Sequence, residues 1–231
     1  MRAGADAAAG LLRRGAETIR VKVCCIASNE EADLAIAAGA DALGLVSAMP
    51  SGPGPIPESK IASIVRHVGT RAATVLLTSR QDANGIGDQL DRIRPTVVQL
   101  VDELTEREYL ALRAMHPEVV LMQVIHVRDA HSVDEAVGVA PFVDAILLDS
   151  GNPTAAVKEL GGTGRVHDWA ISRAIRDAVP LPLFLAGGLR ASNVADAVAA
   201  VRPFGVDVCS GVRMNGRLDH DATNAFISAA R

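Results

Sequence analysis

The sequence predicts an α/β protein built as a single (β/α)8 TIM barrel, and three observations support this. Its 231 residues suit one barrel of this type, which typically needs about 250. Short apolar runs and helical segments alternate from residue 21 to the C-terminus, as parallel strands joined by crossover helices require. The apolar runs are continuous rather than alternating, which is typical of parallel strands covered on both faces.

The apolar runs and the segments between them give the order of the elements. Strands are predicted at residues 21–25, 42–46, 72–77, 97–100, 119–124, 143–148, 183–185 and 206–208. Helices are predicted at residues 30–38, 58–67, 82–92, 105–115, 132–139, 168–178, 192–201 and 219–230. The pattern therefore supplies all eight strand–helix pairs of a closed barrel.

Capping residues predict where several helices begin. Ser28 or Asn29 precedes the first helix, and Ser192 precedes the seventh; side chains of this type satisfy free N–H groups at a helix start. Thr105 precedes the fourth helix, and Glu108 completes a capping box with it.

An open doubly wound sheet is the alternative architecture. It would usually carry a GxGxxG motif after the first strand, but residues 24–27 read Cys-Cys-Ile-Ala. No linker-like stretch divides residues 21–231, which we assign to one barrel domain. Residues 1–20 are alanine-rich with scattered arginines, and we assign them to a partly ordered N-terminal extension. An integral helix and a misassigned start are the alternatives.

Composition narrows the function classes. The net charge is −4 and no basic run occurs, so we expect no nucleic-acid partner. No apolar stretch approaches the ~20 residues of a membrane span. Three cysteines without zinc-site spacing indicate a reducing cytoplasm, no disulfide framework and no metal. The sequence does not predict an oligomeric state.

The seventh and eighth predicted strands end in small residues. Gly187 and Gly188 follow the seventh, and Ser210 and Gly211 follow the eighth. Such ends leave backbone N–H groups open, and barrels of this class commonly bind a phosphate with these two loops. We therefore expect a phosphorylated small-molecule substrate.

The sixth predicted strand leads into a carboxylate and then a long loop. Asp149 follows three apolar residues, where partial desolvation would raise its pKa and suit it to general-acid chemistry; an ordinary loop aspartate is the alternative. Gly162, Thr163 and Gly164 lie further along this loop. Such a loop can wrap a phosphate, form a lid or be only a turn.

The first predicted strand ends at two cysteines. Cys24 is a candidate base if its pKa is lowered, and a small core residue otherwise. Adjacent strand residues point to opposite faces, so we expect only one of Cys24 and Cys25 to face the barrel opening. We place Lys22 on the side of the strand away from the thiol, which leaves the thiolate without a stabilising partner.

Three further polar residues stand on predicted strands. Gln99 and Gln123 can orient a substrate or fill the barrel interior with satisfied hydrogen bonds. Asp207 can contact a ribose or pair with a buried neighbour. The sequence leaves these alternatives open.

Taken in order, these segments resemble the phosphoribosylanthranilate isomerase family over nearly all of residues 21–231. The matching segments are residues 21–24, 38–44, 97–100, 147–150, 161–164, 168–169, 185–189 and 206–212. The resemblance implies an Amadori rearrangement of N-(5-phosphoribosyl)anthranilate, a step of tryptophan biosynthesis, without a cofactor.

The resemblance also implies roles for particular residues. Cys24 would be the general base and Asp149 the general acid. Substrate or phosphate binding would fall to Gly162, Thr163, Gly164, Gly187, Gly188, Ser210 and Gly211. Gln99, Asp207 and Arg213 would be possible substrate-orienting residues.

The chain departs from the family pattern around the barrel opening. Cys25 stands where the family has glycine, His126 where it has arginine, and Arg213 where it has glutamate. The loop at residues 49–55 contains no arginine, although the resemblance implies an arginine there that holds the anthranilate carboxylate. A different phosphoribosyl amine as substrate and a non-catalytic phosphometabolite-binding relative are therefore the alternatives.

Overall fold

The computed structural model describes residues 11–12, 18–151 and 167–231. Eight parallel strands pair in sequence order, and the last pairs with the first to close the barrel. The strands are β1 Arg20–Val23, β2 Ala42–Val46, β3 Ala73–Thr78, β4 Val97–Leu100, β5 Val120–His126, β6 Ala145–Asp149, β7 Leu183–Leu185 and β8 Gly205–Val208. The predicted barrel is confirmed.

Eight α-helices in the described part of the chain surround the strands. They are α1 Asn29–Ala37, α2 Glu58–Val68, α3 Ala83–Ile93, α4 Glu106–Met115, α5 His131–Val139, α6 Trp169–Ala178, α7 Val194–Val201 and α8 His220–Ala230. Two short 3-10 helices, Ala140–Phe142 and Ser210–Val212, and an antiparallel pair, β9 Arg213–Met214 and β10 Arg217–Leu218, complete the described elements. The sequence pattern did not predict this small pair.

Strand alternation divides the apolar residues between two layers. Val21 and Val23 belong to the core between the strands and the helices. Cys24, Met122 and Phe184 belong to the cluster that fills the barrel interior. Every strand is therefore buried on both faces, which explains its continuous apolar sequence.

The register between β1 and β8 positions the polar residues inside the barrel. Lys22 pairs with Asp207, and Val23 pairs with Val208. Beyond the strand, the Cys24 amide donates to the Val208 carbonyl over 2.7 Å. Closure of the barrel thus brings the end of the first strand against the end of the last.

Two details of the predicted caps are wrong. Asn193, not Ser192, precedes α7, and its Oδ1 accepts from the Arg190 amide over 2.8 Å, so it stabilises the preceding turn. Thr105 does cap α4, but the Glu108 carboxylate accepts from the Ala83 amide over 2.6 Å. That tertiary contact replaces the return bond of a capping box.

The described part of the N-terminal segment meets the barrel through Leu11. Its side chain is 3% exposed and belongs to the cluster that fills the barrel interior. None of the helices that the structure describes combines the length and apolar character needed to cross a bilayer.

Candidate active site

A cavity opens at the carboxyl ends of the strands, the end where barrels of this type carry their active sites. Its lining comes from the ends of β1, β2, β3, β4, β6, β7 and β8 and the loops that follow them. The lining residues are Cys24, Cys25, Val46, Met49, Ser51, Gly52, Pro53, Leu77, Gln99, Val101, Asp149, Ala186, Gly187, Gly188, Leu189, Asp207, Val208, Cys209 and Ser210. Candidates from distant parts of the sequence therefore share one site.

Cys24 and Cys25 both line this cavity, so the expectation that only one would face it is wrong. β1 ends at Val23, and Cys25 adopts a left-handed backbone with φ of 63°. That conformation interrupts strand alternation, and the second thiol turns to the same side as the first. Both residues are only 5% exposed.

Lys22 lies inside the barrel, contrary to the orientation expected from the sequence. Residues two apart on a strand point to the same face, and Lys22 and Cys24 both approach Gly44 on β2. A Cβ at Gly44 would lie 2.7 Å from the Cys24 Sγ and 3.2 Å from the Lys22 Nζ. The ammonium group and the thiol are therefore within about 6 Å, close enough for the charge to favour a thiolate.

The ammonium group of Lys22 is held by a second buried residue. Lys22 is 0% exposed, and its Nζ lies 2.9 Å from the Asp207 Oδ2. Burial alone would lower the pKa of Lys22, but the Asp207 carboxylate and the thiols outweigh it and hold the pKa above its ordinary value. Burial raises the pKa of Asp207 even with Lys22 opposite.

The pKa of the Cys24 thiol is below its ordinary value. The main cause is a hydrogen bond from the Cys25 thiol, and the charge of Lys22 adds to it. Burial and Asp207 act in the opposite direction. A lowered thiol pKa is what a cysteine base needs near neutral pH.

Asp149 ends β6 and lines the same cavity as the thiols. Its Oδ1 accepts from the Ser150 amide over 2.7 Å, and its carbonyl accepts from the Val127 amide over 2.8 Å. These contacts fix the backbone on both sides of the carboxylate. The structure thus brings Asp149 and Cys24 into one cavity.

The ends of β7 and β8 present open amides to the cavity. Gly187 and Gly188 have φ of 85° and 63°, left-handed conformations that glycine adopts without a steric penalty. Within the described residues, no carbonyl accepts from the amides of Gly187, Gly188 or Ser210. Gly211 packs against the Leu189 carbonyl, where a Cβ would collide with it.

Three predicted binding residues, Gly162, Thr163 and Gly164, lie outside the described residues.

The two strand glutamines differ in their surroundings. The Gln123 Oε1 accepts from the Tyr109 hydroxyl over 2.6 Å, and its Nε2 donates to the Asp102 carbonyl over 3.3 Å, so Gln123 fills a structural role. Gln99 lines the cavity, and its buried Oε1 has no hydrogen-bond partner among the described residues. The Asp207 Oδ1 is in the same state. Both oxygens are free to accept from a ligand.

Arg213 supports the loop that carries the thiols. Its guanidinium lies 3.0 Å from the Glu31 Oε1 and donates to the Cys25 carbonyl. Burial alone would raise the pKa of Glu31, but the hydrogen bonds from Arg213 and from the Leu218 and Ala27 amides hold it below its ordinary value. The guanidinium is thus engaged by the protein.

Sequence reasoning missed two residues of the site, Lys22 and Gly44. The two-residue spacing between Lys22 and Cys24 was the signal for the first, because it places both side chains on one face. Gly44 follows from barrel pairing, since β2 is the neighbour of β1.

Comparisons with known proteins point to one family. The model of the N-(5'-phosphoribosyl)anthranilate isomerase family matches residues 21–229. The enzyme of that name from Haloferax volcanii is 39% identical over 216 residues, which cover 92% of this chain and 93% of the relative. The one from Methanocella arvoryzae is 35% identical over 198 residues, which cover 86% and 91%.

Solved structures give the same result. Phosphoribosylanthranilate isomerase from Thermotoga maritima superposes with a TM-score of 0.77 at 30% identity, covering 92% of this chain and 98% of that one. A structure of the same type of enzyme contains reduced 1-(o-carboxyphenylamino)-1-deoxyribulose 5-phosphate; it superposes with a TM-score of 0.74 at 28% identity and the same coverage.

Proposed function

Because this chain belongs to the N-(5'-phosphoribosyl)anthranilate isomerase family, we propose that it catalyses the Amadori rearrangement of N-(5'-phosphoribosyl)anthranilate. The product is the 1-(o-carboxyphenylamino)-1-deoxyribulose 5-phosphate whose reduced form occupies a related structure. The observation that carries the proposal is a thiol and a carboxylate lining one cavity beside open backbone amides.

Asp149 acts as the general acid in this proposal. In its neutral form it donates a proton to the ring oxygen of the ribose as the bond from that oxygen to C1 breaks. The nitrogen lone pair then forms an iminium bond to C1. Breaking this bond without a proton donor would create an alkoxide, so a positioned acid contributes typically 10²–10⁴ to the rate.

Cys24 acts as the general base. As a thiolate it removes the proton from C2 of the iminium, and the electron pair of the C–H bond forms the enolamine. This species then tautomerises to the ketone. The nearby charge of Lys22 and the Cys25 hydrogen bond favour the thiolate, which supplies the stabilising partner that the sequence alone did not identify.

The amides of Gly187, Gly188 and Ser210 hold the substrate phosphate. Their N–H groups are unengaged by the described residues, and oriented amides bind anions without any basic side chain. Gly211 supports this turn by packing closely on Leu189. Binding energy from the remote phosphate orients C1 and C2 between the acid and the base.

The Gln99 Oε1 and the Asp207 Oδ1 accept hydrogen bonds from ribose hydroxyl groups. Both are buried and without a partner among the described residues, a state that costs free energy unless a ligand satisfies it. Arg213 contributes through the loop that it ties to Glu31.

Two variants test these assignments. Cys24→Ser and Asp149→Asn should each lower the rate of consumption of purified N-(5'-phosphoribosyl)anthranilate by about 10²–10⁴. Asp177→Asn is the matched control, because this exposed carboxylate lies on α6 and pairs with Arg173. Near-wild-type turnover in either site variant would refute the role assigned to that residue. No turnover by the wild-type protein would refute the activity itself.

A further inference from the structure

Two thiols that the proposed reaction does not use as acid or base lie in contact beside the catalytic cysteine. The Sγ atoms of Cys25 and Cys209 are 2.6 Å apart, and both residues line the cavity. Cys25 is buried, and Cys209 is partly exposed. The cysteines are distant in sequence, so barrel closure alone brings them together.

Backbone pairing places the two cysteines side by side. Cys25 follows β1 and Cys209 follows β8, and these strands pair through Val23 and Val208. The Cys24 amide donates to the Val208 carbonyl immediately before both thiols. Joining the sulfur atoms at the usual ~2.05 Å of a disulfide therefore requires no movement of a whole element.

The backbone at Cys25 is a second, independent sign that this thiol has a use. Cys25 adopts φ of 63°, a region in which a residue with a Cβ is disfavoured and glycine is not. Retaining a side chain in such a conformation costs free energy, and conformations of this kind cluster at functional sites.

The loop after β2 closes over the same thiol. The Pro53 carbonyl lies 3.6 Å from the Cys25 Sγ, and a Cβ at Gly54 would collide with the Cys25 side chain. Cys25 is thus covered on this side, whereas Cys209 is the more exposed member of the pair. An external reagent would meet Cys209 first.

We propose that Cys25 and Cys209 form a dithiol–disulfide site that exchanges with low-molecular-weight disulfides of the glutathione type. The thiolate of Cys209 attacks one sulfur of the reagent, forming a mixed disulfide and releasing one thiol. The sulfur of Cys25 then attacks that of Cys209, and the Cys25 proton goes to the second external sulfur, which leaves as a thiol. Two protein thiols are oxidised by two electrons, and one external disulfide is reduced to two thiols.

Oxidation at this site removes a group that favours the thiolate of the catalytic base. The Cys25 thiol lines the same cavity as Cys24 and contributes to the lowered pKa of the Cys24 thiol, and a disulfide sulfur has no proton with which to stabilise a thiolate. The cross-link also constrains Ser210, which follows Cys209 in the proposed phosphate site. This consequence for activity rests on the proposed function, whereas disulfide formation does not.

The test is a redox titration of the full-length protein in mixtures of oxidised and reduced glutathione. After trapping with an alkylating reagent, the oxidised protein should keep one of its 3 thiols. Peptide mapping should find residues 24–25 linked to residue 209. Three free thiols under oxidising conditions, or a bond between Cys24 and Cys25, would overturn the proposal.

Three variants identify the bonded thiols. The cross-link should persist in Cys24→Ser and be lost in both Cys25→Ser and Cys209→Ser. If the cross-link is lost in Cys24→Ser but retained in Cys25→Ser, then Cys24 and not Cys25 forms the bond, and the proposal is refuted.

Activity provides a separate readout. Wild-type turnover should fall as the disulfide forms and return on reduction with dithiothreitol. If the disulfide forms without affecting turnover, the proposed dithiol–disulfide site stands and only its effect on catalysis is refuted. Absence of turnover in the reduced protein would refute the proposed function and leave the thiol count unaffected.

Discussion

Gly44 has no side chain and so leaves room for the Cys24 thiol. It lies on β2, with the side chains of Cys24 and Lys22 packed directly over its Cα. A methyl group at this position would lie 2.7 Å from the Cys24 Sγ and 3.0 Å from its Cα. The backbone contact cannot be relieved by rotating a side chain, so the end of β1 would have to move.

Gly44→Ala should therefore lower kcat/KM by displacing the base. We expect a loss of about tenfold or more, up to the ~10²–10⁴ that a positioned base contributes. Gly138→Ala is the matched control, because nothing lies within 4 Å of a Cβ built there. Full activity in a folded Gly44→Ala protein would contradict the placement of the thiol over β2.

Lys22 adds to the effect of Cys25 on the pH range in which Cys24 is ionised. The base works as a thiolate, so kcat/KM should rise with pH through the pKa of this thiol. Removing the neighbouring ammonium raises that pKa. Lys22→Met should therefore move the acidic limb of the kcat/KM profile to higher pH, a change that a purely structural role would not produce.

The buried carboxylate left by this substitution needs its own control. A Lys22→Met, Asp207→Asn double variant removes both charges and avoids an unpaired buried Asp207. The difference in thiolate absorbance near 240 nm between the protein and its Cys24→Ser variant reports the same pKa, since burial raises the pKa of Tyr109, the chain's 1 tyrosine, to about 12. An unchanged acidic limb in both variants would exclude Lys22 as the stabilising charge.

At the scale of the elements, β7 and β8 meet through a glycine. A Cβ at Gly205 would lie 2.5 Å from the Phe184 ring and 2.8 Å from the Arg20 carbonyl oxygen. Phe184 fills the barrel interior, and Arg20 begins β1. The position therefore has no space for a side chain where the barrel closes.

Gly205→Ala should destabilise the fold by about 1–3 kcal/mol through overpacking. Urea denaturation measures this change, and Gly138→Ala in α5 again serves as the comparison. That variant should gain up to about 1 kcal/mol, because alanine favours a helix. Equal stability of the two variants would contradict the close packing at Gly205.

The elements show how far the sequence determines the fold. The bounds of β2, β4 and β7 agree with those predicted from apolar runs. A strand buried on both faces consists of mostly apolar consecutive residues, and the sequence shows such a run directly. The cap of α7 was wrong because Asn193 bonds to Arg190, a choice between adjacent polar residues that only the folded turn decides.

The sequence predicted several residues of the candidate site but not the contacts between them. Residues at strand ends identified Cys24, Asp149 and the two glycines after β7, since barrel topology alone brings strand ends together. The left-handed backbone of Cys25 is not encoded in a residue type, so the inward turn of the second thiol could not be predicted. Residues 152–166 of the loop after β6 lie outside the described residues.

At the scale of the whole molecule, the N-terminal segment contributes to the barrel core. Leu11 is buried against the interior cluster, and its neighbour Leu12 is only partly buried there. Residues 1–20, which we propose as an extension of the barrel domain, are thus attached to it through an apolar contact.

Leu11→Ala should cost about 2 kcal/mol of unfolding free energy, at the lower end for a buried leucine. Leu12→Ala should cost less, because its side chain loses less burial. Chemical denaturation of both variants measures the difference. An equal or reversed order would mean that Leu11 does not anchor the segment.

Barrel closure also places the two ends of the folded chain side by side. β1 pairs along its length with β8, and the last residue, Arg231, donates to the Gly39 carbonyl and to Asp41 just before β2. A short peptide could thus link the C-terminus to the start of β1, with new ends cut at an exposed turn such as Gly69–Thr70. A circular permutant of this kind would preserve every strand pairing of the barrel. The eight strand–helix units could therefore be translated in a different order and still form the same barrel.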